Sequence, residues 1–325
     1  MDAHTKAIYR LMFHAKLAKL TGMAYQNFFT QVMSYASSDF LAIKPQGQEG
    51  DWKNDGHEPT AGRYYQVYSP EQFLDETKMV AKVEEDFDGL IAKWGDAKIY
   101  PNGVKEFFFV FNDALRVTPG GYPTTIKKLE DLRKKHNLQR CGLFLQGQLE
   151  DKLLGLPEDK IIAVLGFPPD PASIRTLNLQ SVNEIIIHIV ENTQPRSLVQ
   201  SLISPDFEEK IVFNGLALTG GLLRDANYRV GTLEEYFRAN SSFTRQDVRD
   251  RLRAIYEDSC RKLNSEGVAL TPDEMLFHIL NEVCPTPPSG NQRLHKEMQD
   301  AALVVMAYFF ESCDIFEEPG NVDAR

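Results

Sequence analysis

The sequence predicts an α/β domain followed by a mostly α-helical one. Through the first part of the chain, short runs rich in β-formers alternate with segments of helical periodicity, the pattern of an α/β fold with a partly parallel sheet. From Phe207 onward the apolar residues recur only at helical spacing. Between the two, polar and proline residues cluster over Asn192–Pro205, the composition of a linker. The expected domains are therefore residues 1–200 and 201–325.

Residues Thr5–Ala36 read as helix, with Ile8, Leu11, Met12 and Ala15, then Phe28, Phe29, Val32 and Met33, at three-to-four spacing, and Gly22 dividing two pieces. Phe40–Ile43 and Gly62–Tyr68 read as strands. A helix is expected to start at Ser69-Pro70-Glu71, where Ser is an N-cap, Pro suits the first position and Glu complements the dipole, and to run to Trp94. A strand at Glu106–Val110, a charged helix around Ile126–His136, strands at Gly142–Leu145 and Ile161–Leu165, and a mostly helical stretch to Glu191 follow. In the second part Val248, Leu252, Ile255 and Leu263 form one amphipathic stripe. Leu294–Phe316 is apolar on more than one face, as in a helix buried in a core or an interface. Cys284–Gly290 is a proline-rich break.

With 42% hydrophobic and 25% charged residues over 325 positions, the chain has ordinary globular composition and room for two cores. Cys141, Cys260, Cys284 and Cys313 are too scattered for a zinc site or a disulfide framework, and read as reduced, small hydrophobes. No apolar run reaches the roughly 20 residues that span a bilayer. The opening MDAHTKAIYR lacks a secretory pattern, so no membrane and a cytoplasmic location are expected. The net charge of −10 argues against a constitutive nucleic-acid binder.

The segment richest in chemistry is Gly50–Pro70, GDWKNDGHEPTAGRYYQVYSP. Asp51 and Asp55 flank Lys53, and a strand carrying Gln66 follows. Phosphodiester hydrolysis needs a hard cation held by oxygen ligands, and an ammonium to orient water or neutralise charge. Asp55 at the mouth of a β-hairpin, Gln66 on the adjacent strand and Lys53 between them meet that need. Strand alternation puts Tyr64, Gln66 and Tyr68 on one side, Tyr65 and Val67 on the other. A plain polar turn at Asn54-Asp55-Gly56 is the competing reading. A calcium loop starting at Asp51 is disfavoured, because Lys53 occupies a ligand position and Gly62 stands where a Glu is needed. Glu49 and His57 read as solvated loop, and Glu71 as a first-turn helix residue.

The order of a helix, GD-x-K-NDG, a strand with Q-V-Y and a further helix resembles the PD-(D/E)xK nuclease core, most closely its Mrr-like and antiviral-effector branches. The resemblance implies a restriction-endonuclease-like α/β domain. It further implies Asp55, Gln66 and Asp51 as ligands of Mg²⁺ (or Mn²⁺), with these three and Lys53 as the catalytic set. Gln26 falls where the family carries a helix-borne acid. Tyr68 stands where the family has its strand lysine, and Lys53 is the expected substitute. Met306–Glu317 (MAYFFESCDIFE) and Lys210–Leu223 (KIVFNGLALTGGLL) are similar to the C-terminal module of ABC three-component defence systems, Lamassu-type systems among them. Membership implies an antiphage or anti-plasmid DNA endonuclease. Its partners would be an SMC-like ATPase that restrains it, a small accessory subunit and, when active, further copies of itself. A catalytically degenerate nuclease fold that only bridges partners is the alternative, with Tyr68 in its favour; an RNA-cleaving toxin is a third.

Other motifs are blander. Lys127, Lys128, Arg133, Lys134 and Lys135 read as a solvated helix face. Arg245, Arg249 and Arg253 read as an interface or salt-bridge stripe. No G-x-S-x-G and no phosphate-binding G-x-x-x-x-G-K-[ST] occurs, which excludes the corresponding hydrolase and ATPase chemistries.

Overall fold

The structure is a computed structural model and describes residues 1–45, 50–70, 75–96, 98–113, 120–192, 206–239, 245–286, 291–310 and 315–319. The chain divides into two compact units, Leu17–Val164 and Met1–Lys16 together with Leu165–Arg325. Where the sequence places one boundary near residue 200, the structure groups the first helix and the helix Leu179–Asn192 with the C-terminal unit. Of the expected linker Asn192–Pro205, Asn192 ends that helix and residues 193–205 lie outside the described residues.

The Leu17–Val164 unit is built on a five-stranded sheet of order β1-β2-β3-β4-β5. After α1 (Ala3–Leu17), which belongs to the other unit, come α2 (Gly22–Ala36), β1 (Leu41–Ala42), β2 (Gly56–Glu58) and β3 (Arg63–Tyr68). Then follow α3 (Glu76–Trp94), β4 (Glu106–Phe111), α4 (Pro123–Lys135), β5 (Arg140–Phe144), α5 (Gln146–Leu154) and α6 (Glu158–Leu165). β1, β2 and β3 are antiparallel neighbours; β3, β4 and β5 run parallel, with α3 and α4 as crossovers.

The alternation of β3 decides the layers. Tyr64 faces one side, where Phe107, Phe109 and Phe111 of β4 pack with Met79, Val83, Phe87 and Leu90 of α3 and Leu129 and Leu132 of α4. Tyr65 faces the other, among Phe29 of α2, Phe40, Phe108 and Phe144. Three successive aromatics, Phe107, Phe108 and Phe109, are buried because both sheet faces are covered, as parallel strands require.

Three expectations are corrected. Ile161–Leu165 is not a strand but the end of α6. Pro157 precedes it, Glu158 and Asp159 occupy the first turn, and Ile161 and Val164, three apart, are buried together. The helix expected from Ser69 is described from Glu76, capped by Asp75, whose side chain accepts the Lys78 N–H at 2.9 Å. Glu71 lies outside the described residues. β2 is a strand that the sequence reading left as loop; three residues are too few to show alternation.

The other unit is helical: α1, a 3-10 turn at Pro171–Ser173, α7 (Leu179–Asn192), α8 (Phe207–Phe213), α9 (Thr219–Asn227), α10 (Val230–Ala239), α11 (Arg245–Glu266), α12 (Pro272–Val283) and α13 (Gln292–Phe310). α13 packs against α7, α9, α10 and α12. Nearly every residue from Met298 to Phe310 is buried, so its all-round apolarity is absorbed within its own unit. The helix is described to Phe310, and residues 311–314 lie outside the described residues; Ile315 and Phe316, also expected in it, are buried but non-helical. Val248, Leu252, Ile255 and Leu263 form the buried stripe of α11. α12 opens with a capping box in which Thr271 and Glu274 satisfy each other's backbone. Among the described residues no helix is long and apolar enough to cross a membrane.

A buried acid cluster on the α3 face of the sheet

β2 and β3 form a hairpin in which Gly56 pairs with Tyr65 and His57 with Tyr64. The paired register ends there; the Asp55 N–H still donates to the Tyr65 carbonyl at 3.0 Å, which sets Asp55 at the end of β2 beside the Tyr65–Val67 stretch of β3. The turn before Asp55 is tightly wound. Trp52 and Lys53 both adopt left-handed backbone angles, φ 59° and 60°, a costly conformation for residues with side chains. Asp51 holds this turn by accepting the Lys53 N–H at 2.9 Å. Asn54 is buried and accepts the Gly56 N–H at 3.1 Å, so the turn chemistry read from Asn-Asp-Gly coexists with the acid site.

Asp55 is buried. One carboxylate oxygen accepts the Val67 N–H at 2.6 Å and the other a short bond from the Gln26 amide of α2. Burial pushes its pKa up to about 7; the Val67 N–H opposes this, and the neighbouring carboxylates of Asp51 and Asp86 add to it. Gln66 is buried as well, and its Oε1 finds no donor among the described residues. A buried carbonyl oxygen without a partner costs about 1–3 kcal/mol.

α3 contributes what the sequence reading missed. Asp86 is fully buried; its Oδ1 receives Lys53 Nζ at 2.9 Å and Lys82 Nζ at 2.7 Å, and its Oδ2 receives nothing. Lys53 also meets Glu85 at 2.7 Å. Burial works to lower the lysine's pKa, but the bonds to Glu85 and Asp86 outweigh it and hold the ammonium above its ordinary value. Tyr68 also lies near Asp86; burial, then that charge, raises its phenol. The signal for Asp86 was present as Lys82-x-x-x-Asp86, a helical i, i+4 pair. Nothing in a single sequence places it beside the hairpin 30 residues earlier.

The predicted residues thus sort plainly. Asp55 is bonded to Gln26 and lies near Asp51 and Asp86, Tyr68 lies near Asp86, and Gln66 is next in the chain to Val67, whose N–H Asp55 accepts. Lys53 has its ammonium on Asp86 and Glu85. Among the described residues no three His, Cys, Asp or Glu side chains converge to hold a metal ion. Among the described residues, oxygens here that could serve a hard cation are Gln66 Oε1 and Asp86 Oδ2, both buried without a donor, and the Asp55 carboxylate. Each oxygen of that carboxylate has a second lone pair beyond the bond it already accepts. His57 is not solvated loop. It is buried, stacked on Tyr64 with ring centroids 5.1 Å apart, and burial lowers its pKa. Glu49 lies outside the described residues.

Elsewhere the basic stretches are paired. Lys128 meets Glu84 at 2.6 Å, and Arg133 and Lys134 meet Glu130 at 2.7 and 3.4 Å. Arg253 meets Glu257 at 2.7 Å, while Arg245 lies over the rings of Phe237 and Tyr308. Cys141, Cys260 and Cys284 are free thiols, and burial pushes Cys141 and Cys284 up to about 12; Cys313 is outside the described residues.

Comparison with known families concerns the helical unit. Residues 180–317 match the model of C-terminal domain 10 of the ABC-three component systems. The match runs from α7 to Glu317 and supports membership of the chain in such a multi-subunit system, including the C-terminal similarity read from Lys210–Leu223 and Met306–Glu317. It says nothing of the sheet unit. No curated protein and no solved structure matches the chain.

Proposed function

We propose that this chain is a metal-dependent DNA endonuclease of an ABC-three component defence complex, with Leu17–Val164 as its restriction-endonuclease-like domain. The observations that carry the reading lie in one hairpin. Asp55, whose charge is disfavoured by burial, accepts the N–H of Val67, and the residue before Val67, Gln66, has a carbonyl oxygen buried without a donor. Both defects are relieved by one added cation, which explains why the fold tolerates them. Bound there, Mg²⁺ or Mn²⁺ would stabilise charge on the phosphate and acidify a water. The chain's own residues do the rest. Asp55 and Gln66 hold the ion, Asp51 fixes the strained turn, and Gln26 orients the Asp55 carboxylate. Asp86 gathers the ammonium groups of Lys53 and Lys82, which can exchange that carboxylate for a substrate phosphate. Lys82 thereby joins Lys53 as a substitute for the ammonium that Tyr68 does not provide.

The net charge of −10 favours an enzyme that holds DNA poorly alone. On this reading an SMC-like ATPase and a small accessory subunit restrain it in the cytoplasm, and release with self-association concentrates several sites on one DNA. The second reading, a degenerate scaffold subunit of the same complex, draws on Tyr68 and on the bonds both Asp55 oxygens already accept. Incubation of the purified chain with plasmid and, in parallel, RNA decides between them, in Mg²⁺ or Mn²⁺ and with EDTA as control. EDTA-sensitive DNA cleavage that disappears in Asp55→Ala and weakens in Lys53→Ala and Lys82→Ala supports the enzyme. Cleavage indifferent to these substitutions removes it from this site.

A further inference from the structure

The same sheet carries a second built feature at its other end. Arg63, Glu106 and Arg140 are the first residues of β3, β4 and β5, so they stand at the strand ends away from Tyr68 and the acid cluster. There, on the face that Tyr65 shares with α2, Arg63, Tyr65, Phe108, Arg140, Phe144 and Lys152 line a cavity of about 420 Å³. That volume lies within the roughly 300–1,000 Å³ of small-molecule sites.

Its chemistry is unlike the rest of this acidic chain. The guanidinium of Arg140 lies 5.1 Å from the Phe108 ring centroid and that of Arg63 5.8 Å from it. Arg63 is spoken for by Glu58 at 2.7 Å and by Glu106. Arg140 and Lys152 are exposed and have no carboxylate partner among the described residues. An arginine laid on an aromatic ring presents a flat, delocalised cation against which a second flat group stacks, the usual way proteins take up unpaired bases. A lysine beside it is a point charge for phosphate. Asp151, on the same rim, is an acceptor for exocyclic amino groups.

We propose that this cavity binds a nucleoside 5′-monophosphate group, either as a free nucleotide or as the phosphorylated end of a nucleic-acid strand. The base stacks against Arg140 over Phe108, and Lys152 receives the phosphate. The site is separate from the acid cluster and stands whether or not that cluster cleaves DNA.

Calorimetric titration of the full chain tests it, with adenosine, guanosine and cytidine 5′-monophosphates, ribose 5-phosphate and adenosine as probes. Saturable binding of at least one monophosphate is expected, about tenfold or more tighter than of ribose 5-phosphate or adenosine. Arg140→Ala and Lys152→Ala each weaken it by about tenfold, with melting temperature unchanged because both side chains are exposed. Arg140→Lys keeps the charge but loses the plane, and abolishes the preference for monophosphate over ribose 5-phosphate. Asp55→Asn leaves the titration unchanged, which separates this site from the proposed nuclease centre. Short 5′-phosphorylated and 5′-hydroxyl oligonucleotides identify the source: a preference for the phosphorylated end marks a strand terminus, and binding of the mononucleotide alone a free ligand. No saturable binding of any monophosphate up to about 1 mM, or binding unaltered by Arg140→Ala and Lys152→Ala, overturns the proposal.

Discussion

Buried carboxylates occur in both units, and they are treated differently. In the helical unit Asp273, in the first turn of α12, is fully employed. Its oxygens accept the Leu218 N–H at 3.2 Å, the Thr219 N–H at 2.8 Å and the Thr219 hydroxyl at 2.6 Å, tying α12 to the start of α9. Asp300 is likewise bonded, by Asp170 N–H at 2.7 Å and Lys296 at 2.6 Å, although burial raises its pKa as it does that of Asp55. In the sheet unit Asp86 leaves one oxygen bare, Asp55 is held where its charge is disfavoured, and Gln66 leaves a carbonyl bare, as Gln299 does in the helical unit. Acids of the first kind build a fold. The second kind weaken one, and on the proposed function a bound cation completes them.

Substitutions sharpen this contrast, beginning with the largest effect. Asp55→Ala is expected to lower plasmid cleavage by about two to three orders of magnitude, read as single-turnover rate, with little loss of stability. Asp273→Ala does the reverse. It strands two backbone N–H groups and costs about 2–4 kcal/mol in denaturant unfolding, while activity per folded molecule is retained. Equal stability losses in the two variants would erase the distinction.

The pH dependence follows from the direction of the Asp55 shift. A carboxyl that keeps its proton up to about pH 7 when folded, but loses it near 3.8 when unfolded, makes the folded chain take up a proton. Its contribution to stability is therefore whole at low pH and drains away as pH rises from about 4 to about 7. Asp55→Asn removes that penalty and should stabilise the chain by about 1–2 kcal/mol at pH 8, with no gain near pH 4. Thermal melts across that range check it; a gain independent of pH would show that Asp55 is not the titrating group. The smallest effect belongs to Lys82→Ala. One of two ammonium groups on Asp86 is lost, and a cost of about 1 kcal/mol in stability is expected, with a several-fold slower cleavage.

Much of the sheet unit was legible in the sequence because its elements announce themselves locally. The β-formers of Arg63–Tyr68 and Glu106–Phe111 and the periodicity of α2 and α4 needed no tertiary information. So did Gly22, which sits at the start of α2 with a positive φ. The hairpin that brings Asp55 to β3, where it accepts the Val67 N–H, was legible because its strands are only about ten residues apart. Asp86 and Lys82 were not, since only the crossover of α3 onto the sheet carries them there. The strand expected at Ile161–Leu165 failed because a short apolar run reads the same in either state; the acids of the first turn, Glu158 and Asp159, were the cue that decided it. α13 was legible as buried but not as buried within its own unit, because apolarity on all faces does not say which neighbour covers it.

The account rests on a cation completing the Asp55–Gln66 pair. Titration of Mn²⁺ and Mg²⁺ into the nucleic-acid-free chain at pH 6, below the Asp55 pKa of about 7, followed by calorimetry, tests this without requiring turnover or partners. The account predicts one divalent site per chain, accompanied by proton release as Asp55 ionises, absent in Asp55→Asn and weakened in Gln66→Ala. Absence of divalent binding, or binding that survives Asp55→Asn unchanged, would contradict it.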